Sequence, residues 1–283
     1  MTGVSPSVLH VISGDTGVFA VTSLEDRVYV VRDMKKEIEV YDAATMTLER
    51  CLPVPGISQS ASGIAACSRN KCLYLSDWNN SSIHRVDLAT DAAKKWPVAK
   101  MPEGISVNRD HNLLVACLVD NKLQEYTTDG RLVREICLAA GVDSPCHAIQ
   151  LSSGDYVVCH RKSPGVLSIV GVDGLLRCNY EPSISSDVGP MKYPRNLADT
   201  QHGDILVVDQ GNNRILLIDS LLIGTEPFPT PSDVELQAPL ALYLDETRDR
   251  LYVGEIGGKY RVIVLNNLSS VRFTRGPAYD QEL

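Results

Sequence analysis

A short apolar strand, a polar turn, a second apolar strand, a polar loop and a third strand recur six times along this chain. The second strands read VYVV from Val28, LYLS from Leu73, LLVA from Leu113, YVVC from Tyr156, ILVV from Ile205 and LYVG from Leu251. Their starts lie 45, 40, 43, 49 and 46 residues apart. A period in the forties, with several strands per unit, points to a β-propeller, whose units bury their faces only against one another. The strands are short and rich in β-branched residues, and no amphipathic helix stands out. The fifth unit is the clearest. It has an inner strand at Asn196–Asp199, a turn at Gln201–Asp204, a second strand at Ile205–Val208, a polar loop at Asp209–Arg214 and a third strand at Ile215–Asp219. Outer strands show best at Arg131–Cys137 and Leu175–Cys178.

The fold expected is all-β, a single six-bladed propeller of four-stranded antiparallel blades over 1–283. The blades fall at about 18–56, 63–101, 104–142, 147–182, 195–232 and 240–274. A propeller ring must be shut. Residues 8–13, centred on Leu9–Ile12, suit the outer strand of the last blade, and so does Val271–Thr274; the sequence leaves the choice open.

Composition narrows the function classes. Apolar residues make up 44% and charged residues 22%, ordinary globular usage that excludes a disordered chain or a coiled coil. No run of about 18 uncharged apolar residues offers a membrane span. The first residues lack the basic and apolar regions of a signal peptide, so a cytoplasmic chain is expected. The net charge of −8 weighs against nucleic acid, and against DNA in particular. The eight cysteines form no CxxC pair, which predicts free thiols and no RING or B-box zinc module.

The segment YPRNLADTQHGDILVVDQGNNRILLIDS, Tyr193–Ser220, closely resembles an NHL repeat. Pro194 precedes the inner strand, Asp209 ends the second strand, Asn213-Arg214 sits in the loop and Ile215 opens an apolar third strand. Leu73–Leu88, LYLSDWNNSSIHRVDL, resembles both NHL and YWTD-type repeats. The whole chain is similar to the NHL portion of TRIM-NHL-type proteins. Units one and four depart from the pattern, with Arg32 and His160 where an Asp is expected. The resemblance implies a recognition propeller that selects protein or RNA targets, with a link to ubiquitin-dependent turnover. The catalytic RING of that family has no counterpart in this sequence.

The expected binding face is formed by the loops between second and third strands and by those between blades. The first set carries a small excess of Lys and Arg. Asp143, Asp187, Asp233 and Glu235 in the second set bring the face near neutrality. A neutral face favours protein over RNA, because phosphate binding needs many basic contacts. The candidate contacts are Arg32, His147, Arg161, Lys162, Lys192, Arg195 and Arg214, with Trp78 and Asn79 as an aromatic anchor and its neighbour. The plainer alternatives are solvated loops and a Trp packed on its own blade. Asp77, Asp209 and Glu255 share a repeat position. They read as structural carboxylates accepting backbone N–H groups in their own loops or pairing with a loop Arg such as Arg214, rather than as metal ligands.

A metal-dependent hydrolase or lyase is the remaining alternative. It needs carboxylate, Asn or His ligands converging on the pore. The inner strands start near Val18, Gly63, Gly104, His147, Asn196 and Leu240, and His147, Asn196, Glu103 and Arg195 are the polar residues there. One His and one Asn make a poor metal site. No catalytic residue, metal site or cofactor is assigned. The reading is a non-catalytic scaffold for protein partners, with an RNA-binding NHL propeller as the other binding alternative.

Overall fold

The computed structural model describes residues 5–161, 164–180, 182, 188–268 and 271. Twenty-four strands form six four-stranded antiparallel sheets. Blade 1 comprises Val18–Leu24, Arg27–Arg32, Glu37–Asp42 and Leu48–Pro53, from inner to outer strand. Blade 2 comprises Gly63–Cys67, Cys72–Asp77, Ser82–Asp87 and Ala93–Pro97. Blade 3 comprises Pro102–Val107, Leu113–Cys117, Lys122–Tyr126 and Leu132–Cys137. Blade 4 comprises Pro145–Gln150, Tyr156–His160, Leu167–Val170 and Leu176–Tyr180. Blade 5 comprises Pro194–Asp199, Ile205–Asp209, Arg214–Ile218 and Thr225–Pro227. Blade 6 comprises Pro239–Asp245, Arg250–Glu255 and Arg261–Asn266, and its outer strand is the N-terminal segment Ser7–Ser13.

Ring closure therefore falls to the N-terminus. Val8 faces Leu265 and Ile12 faces Val262 across an antiparallel ladder. The competing segment, Val271–Thr274, lies outside the described residues apart from Val271, which is in no strand.

Burial follows strand position. The second strands of blades 2, 3, 4 and 5 are buried along their whole length, because a neighbouring blade covers each face. The outer strands of blades 1 and 3 are exposed except at Leu52 and Ile136. Their charged residues blunt the free sheet edges. The core is divided into six hydrophobic clusters, one in each gap between adjacent blades. The cluster joining Tyr252, Val262 and Val264 of blade 6 to Val21, Val28 and Val30 of blade 1 shuts the circle.

Five of the six inner strands shift register within their first residues, in blades 1, 3, 4, 5 and 6. Such irregularities bend a strand and re-aim side chains. Glu103 and Arg195 lie in two of these stretches, and both line the axis of the ring.

Candidate functional site

All six inner strands contribute to a central cavity of about 630 Å³. Most of its wall is apolar or small, as at Phe19, Val21, Ile64, Ile105, Leu197 and Leu242. At the end where the inner strands begin, the lining turns polar. Glu103, Arg161, Arg195, Asn196 and Gln59 meet there, with Trp78 and Asp33 on other sectors of the rim.

Glu103 Oε1 lies 3.4 Å from Arg195 Nη1 and 3.6 Å from Arg161 Nη1. Burial pushes the Glu103 carboxyl above its usual range, opposed by the two guanidinium charges. Glu103 Oε2 and Arg195 Nε are buried with no hydrogen-bond partner among the described residues. His147 is buried beside them, and burial drives its imidazole down to about 4. It is therefore a neutral ring near pH 7.

The mouth is framed by a clasp repeated around the ring. In blade 5, Asp209 Oδ1 accepts the backbone N–H of Lys192 at 2.6 Å, two residues before the inner strand begins. Glu255 Oε1 accepts from Gln237 N–H at 2.8 Å in the same way. Asp77 Oδ2 accepts from Ser58 N–H at 3.0 Å. Burial works to raise the Asp77 carboxyl, but bonds from Ser58 and Asn80 outweigh it and hold it low. In blade 3 the second strand ends in Cys117, and Asp120 accepts the N–H of Lys100 at 2.7 Å instead.

Blades 1 and 4 reverse the polarity. Arg32 Nη1 donates to the Thr16 carbonyl at 3.1 Å, and His160 Nδ1 lies 2.9 Å from the Asp143 carbonyl. A cationic or N–H-bearing side chain reaches a C=O where an acidic one would reach an N–H. The two divergent repeats thus keep the clasp with donor and acceptor exchanged. The carboxylates at the shared repeat position do accept backbone N–H bonds, and Asp209 pairs with Arg214 at 2.7 Å. The principal N–H comes not from the carboxylate's own loop but from the loop that leads into the blade, a contact that the repeat spacing does not reveal.

These contacts decide where the candidate residues stand. Trp78, His147, Arg161 and Arg195 come together on the central cavity from blades 2, 4 and 5. Arg32 is turned inward and only 1% exposed, bonded to Glu39 and to the carbonyls of Thr16 and Tyr260. It cannot present its charge on the face, since its guanidinium closes blade 1. Arg214 is three-quarters buried, held by Asp209 and by the Val188 carbonyl. Asn79 is exposed beside Gln59 on the rim. Lys192 is exposed, and its N–H serves the clasp. Lys162 lies outside the described residues. Trp96, read as a packing residue, sits between the Tyr74 and Tyr126 rings with centroids 6.2 Å away on each side.

Asp33, Gln59 and Ser60 also line the cavity, although in sequence they are ordinary polar loop residues. They lie in loops whose path over the rim is set by the fold. Among the described residues, no three His, Cys, Asp or Glu side chains are grouped so as to hold a metal ion. Cys146 and Cys159 bring their sulfurs to 3.3 Å in the wall of blade 4, and all eight cysteines are free thiols.

No protein-family model matches the chain, and comparison with curated proteins finds no match. Solved structures do resemble it. Virginiamycin B lyase from Staphylococcus aureus superposes with a TM-score of 0.65 at 12% identity, covering 93% of this chain and 99% of that one. Hydrazine synthase from Kuenenia stuttgartiensis gives 0.63 at 18% identity, covering 91% and 79%. A protein of unknown function from Bacteroides caccae gives 0.64 at 14% identity, covering 81% and 82%. These likenesses show the fold alone. One architecture carries many chemistries, so function has to be argued from the mouth itself.

Proposed function

We propose that this chain is a non-catalytic recognition propeller that binds a protein partner at the mouth of its central channel. One observation carries the reading: Trp78, Arg161 and Arg195, from three different blades, line a single cavity. A half-buried indole that shares a concave site with guanidinium groups matches the residue types that dominate protein-binding hot spots. The NHL-type repeat residues at Pro194, Asp209, Asn213 and Arg214 support a recognition role of the kind that family performs, in the cytoplasm and linked to ubiquitin-dependent turnover.

The test is capture from native lysate on the immobilised chain, with and without nuclease, using wild type and Trp78→Ala. The reading expects partners that survive nuclease and are lost with Trp78→Ala. Partners that vanish with nuclease would assign the mouth to RNA.

A hydrolase or lyase reading draws on the likeness to virginiamycin B lyase and on two unpartnered atoms in one cavity, Glu103 Oε2 and His147 Nδ1. The residues present do not fit a metal. Glu103 is engaged by two guanidinium groups, and no third ligating side chain joins it and His147 among the described residues. Metal that copurifies with the chain, and an activity lost to a chelator, would favour the lyase reading over recognition.

A further inference from the structure

The ion pairs at the mouth are loose by this molecule's own standard. Arg214–Asp209, Arg261–Glu255 and Arg32–Glu39 all close to 2.7 Å, the range of a charge-assisted hydrogen bond. Arg195 and Arg161 stop at 3.4 and 3.6 Å from one shared oxygen of Glu103. Two guanidinium groups therefore share one carboxylate. A guanidinium offers five N–H donors in a rigid fork. Arg195 is nine-tenths buried, yet its Nε has no partner among the described residues. A buried donor without an acceptor is costly, and an acceptor brought by a ligand relieves that cost.

The surroundings restrict the ligand. Asp33, on the blade 1 side, is the other carboxylate lining the cavity at this end among the described residues, and the two guanidinium groups lie in the sector of blades 4 and 5. With Glu103 and Asp33 both present, a polyanion meets two like charges in one cavity, which disfavours a nucleic-acid backbone. A single carboxylate fits the balance that a polyanion exceeds, because one anion brings two arginines and one glutamate to neutrality. Trp78 offers an apolar surface at the same mouth for whatever carries that carboxylate.

We infer that the group recognised here is a peptide carboxylate, seated against Arg195 and Arg161 with its neighbouring apolar atoms on Trp78. The inference rests on the reading of the mouth as the binding site, and its test separates the two.

The probe is an array of random hexapeptides. Each is displayed in acidic form and with Asp and Glu replaced by Asn and Gln, and each with a free C-terminus and as the amide. The full chain, Arg195→Gln and Trp78→Ala are applied, with folding checked by thermal melting. Arg161→Gln, on the more exposed side of the pair, serves as second variant if Arg195→Gln fails to fold. The expected result is at least tenfold weaker retention on neutralised peptides and the same loss with the arginine variant. The amide arm tells side-chain from C-terminal carboxylates. Peptides that bind equally when neutralised, yet are lost with Trp78→Ala, would overturn the carboxylate inference and leave the mouth as the site. Retention indifferent to Trp78→Ala and to both arginine variants would overturn both. Binding of an RNA oligonucleotide that Arg195→Gln abolishes, with no peptide retained, would assign the site to phosphate and overturn the inference.

Discussion

Asp209 holds the backbone N–H of Lys192 at 2.6 Å, and His160, at the matching place one blade earlier, faces the carbonyl of Asp143 at 2.9 Å. The same joint is made with opposite polarity. In both blades the chain is fixed just before it enters the inner strand, so the residues that follow arrive at the channel in a set position. Arg195 follows Lys192 by three residues, and His147 follows Asp143 by four.

The clasp gives the first prediction. Asp209→Ala leaves the Lys192 N–H without its acceptor and the Arg214 guanidinium without its carboxylate, and is expected to cost about 2–4 kcal/mol. His160→Asp should destabilise more than His160→Ala, because a carboxylate would face the Asp143 carbonyl. Urea unfolding of the three variants checks both statements. Equal stability of His160→Asp and wild type would refute the reversed polarity.

How much of this was legible in sequence depends on the range of the contact. The six second strands lie where the apolar runs from Val28 to Leu251 place them, since each reads as a local β pattern. Residues 8–13 are one of two closing segments the sequence offers, because pairing over some 250 residues leaves no local trace. Trp78 and Arg161 are legible as loop residues with binding chemistry, and Arg195 as a basic residue at the start of an inner strand. Arg32 reads as a face residue for the same reason: a loop arginine looks exposed until its buried partners Glu39 and Thr16 are known. Glu103 was visible as a polar residue at an inner-strand start, but its two arginines come from blades 4 and 5 and show only in the fold.

Gly104 packs where blade 3 meets blade 4. A Cβ there would lie 2.4 Å from the Cys146 carbonyl oxygen and 2.4 Å from His147 Cδ2. Gly104→Ala is therefore expected to push the inner strands apart at the channel mouth, at a cost of about 2 kcal/mol or more. Thermal denaturation reads the loss, and an unchanged melting temperature would show that the strands yield freely.

Burial makes His147 a group that resists protonation in the fold, with its value lowered from 6.5 to about 4. The unfolded chain binds the proton first as pH falls, so stability from this group is full above about 6.5 and declines toward 4. The decline is on the order of 3 kcal/mol. His147→Gln should flatten the stability curve between those limits, as followed by denaturant unfolding at stepped pH.

Ring closure by the N-terminal strand makes Ile12 part of the core between blades 6 and 1, where it is 6% exposed. Ile12→Asp should cost about 2–4 kcal/mol by burying an unpaired charge. Deleting residues 1–13 should expose the edge of Arg261–Asn266 and promote association. Light scattering and melting temperature read the two effects. A truncated chain that stays monomeric with unaltered stability would argue against this closure.

The claim that the channel mouth is the recognition surface is tested most directly by photocross-linking. A benzoylphenylalanine is placed at Trp78, or at Arg109 in the hairpin that ends the inner strand of blade 3 at the opposite end of the channel. The account predicts that partner adducts form from position 78 and not from position 109. Adducts from position 109 alone would place recognition on the other face and contradict it.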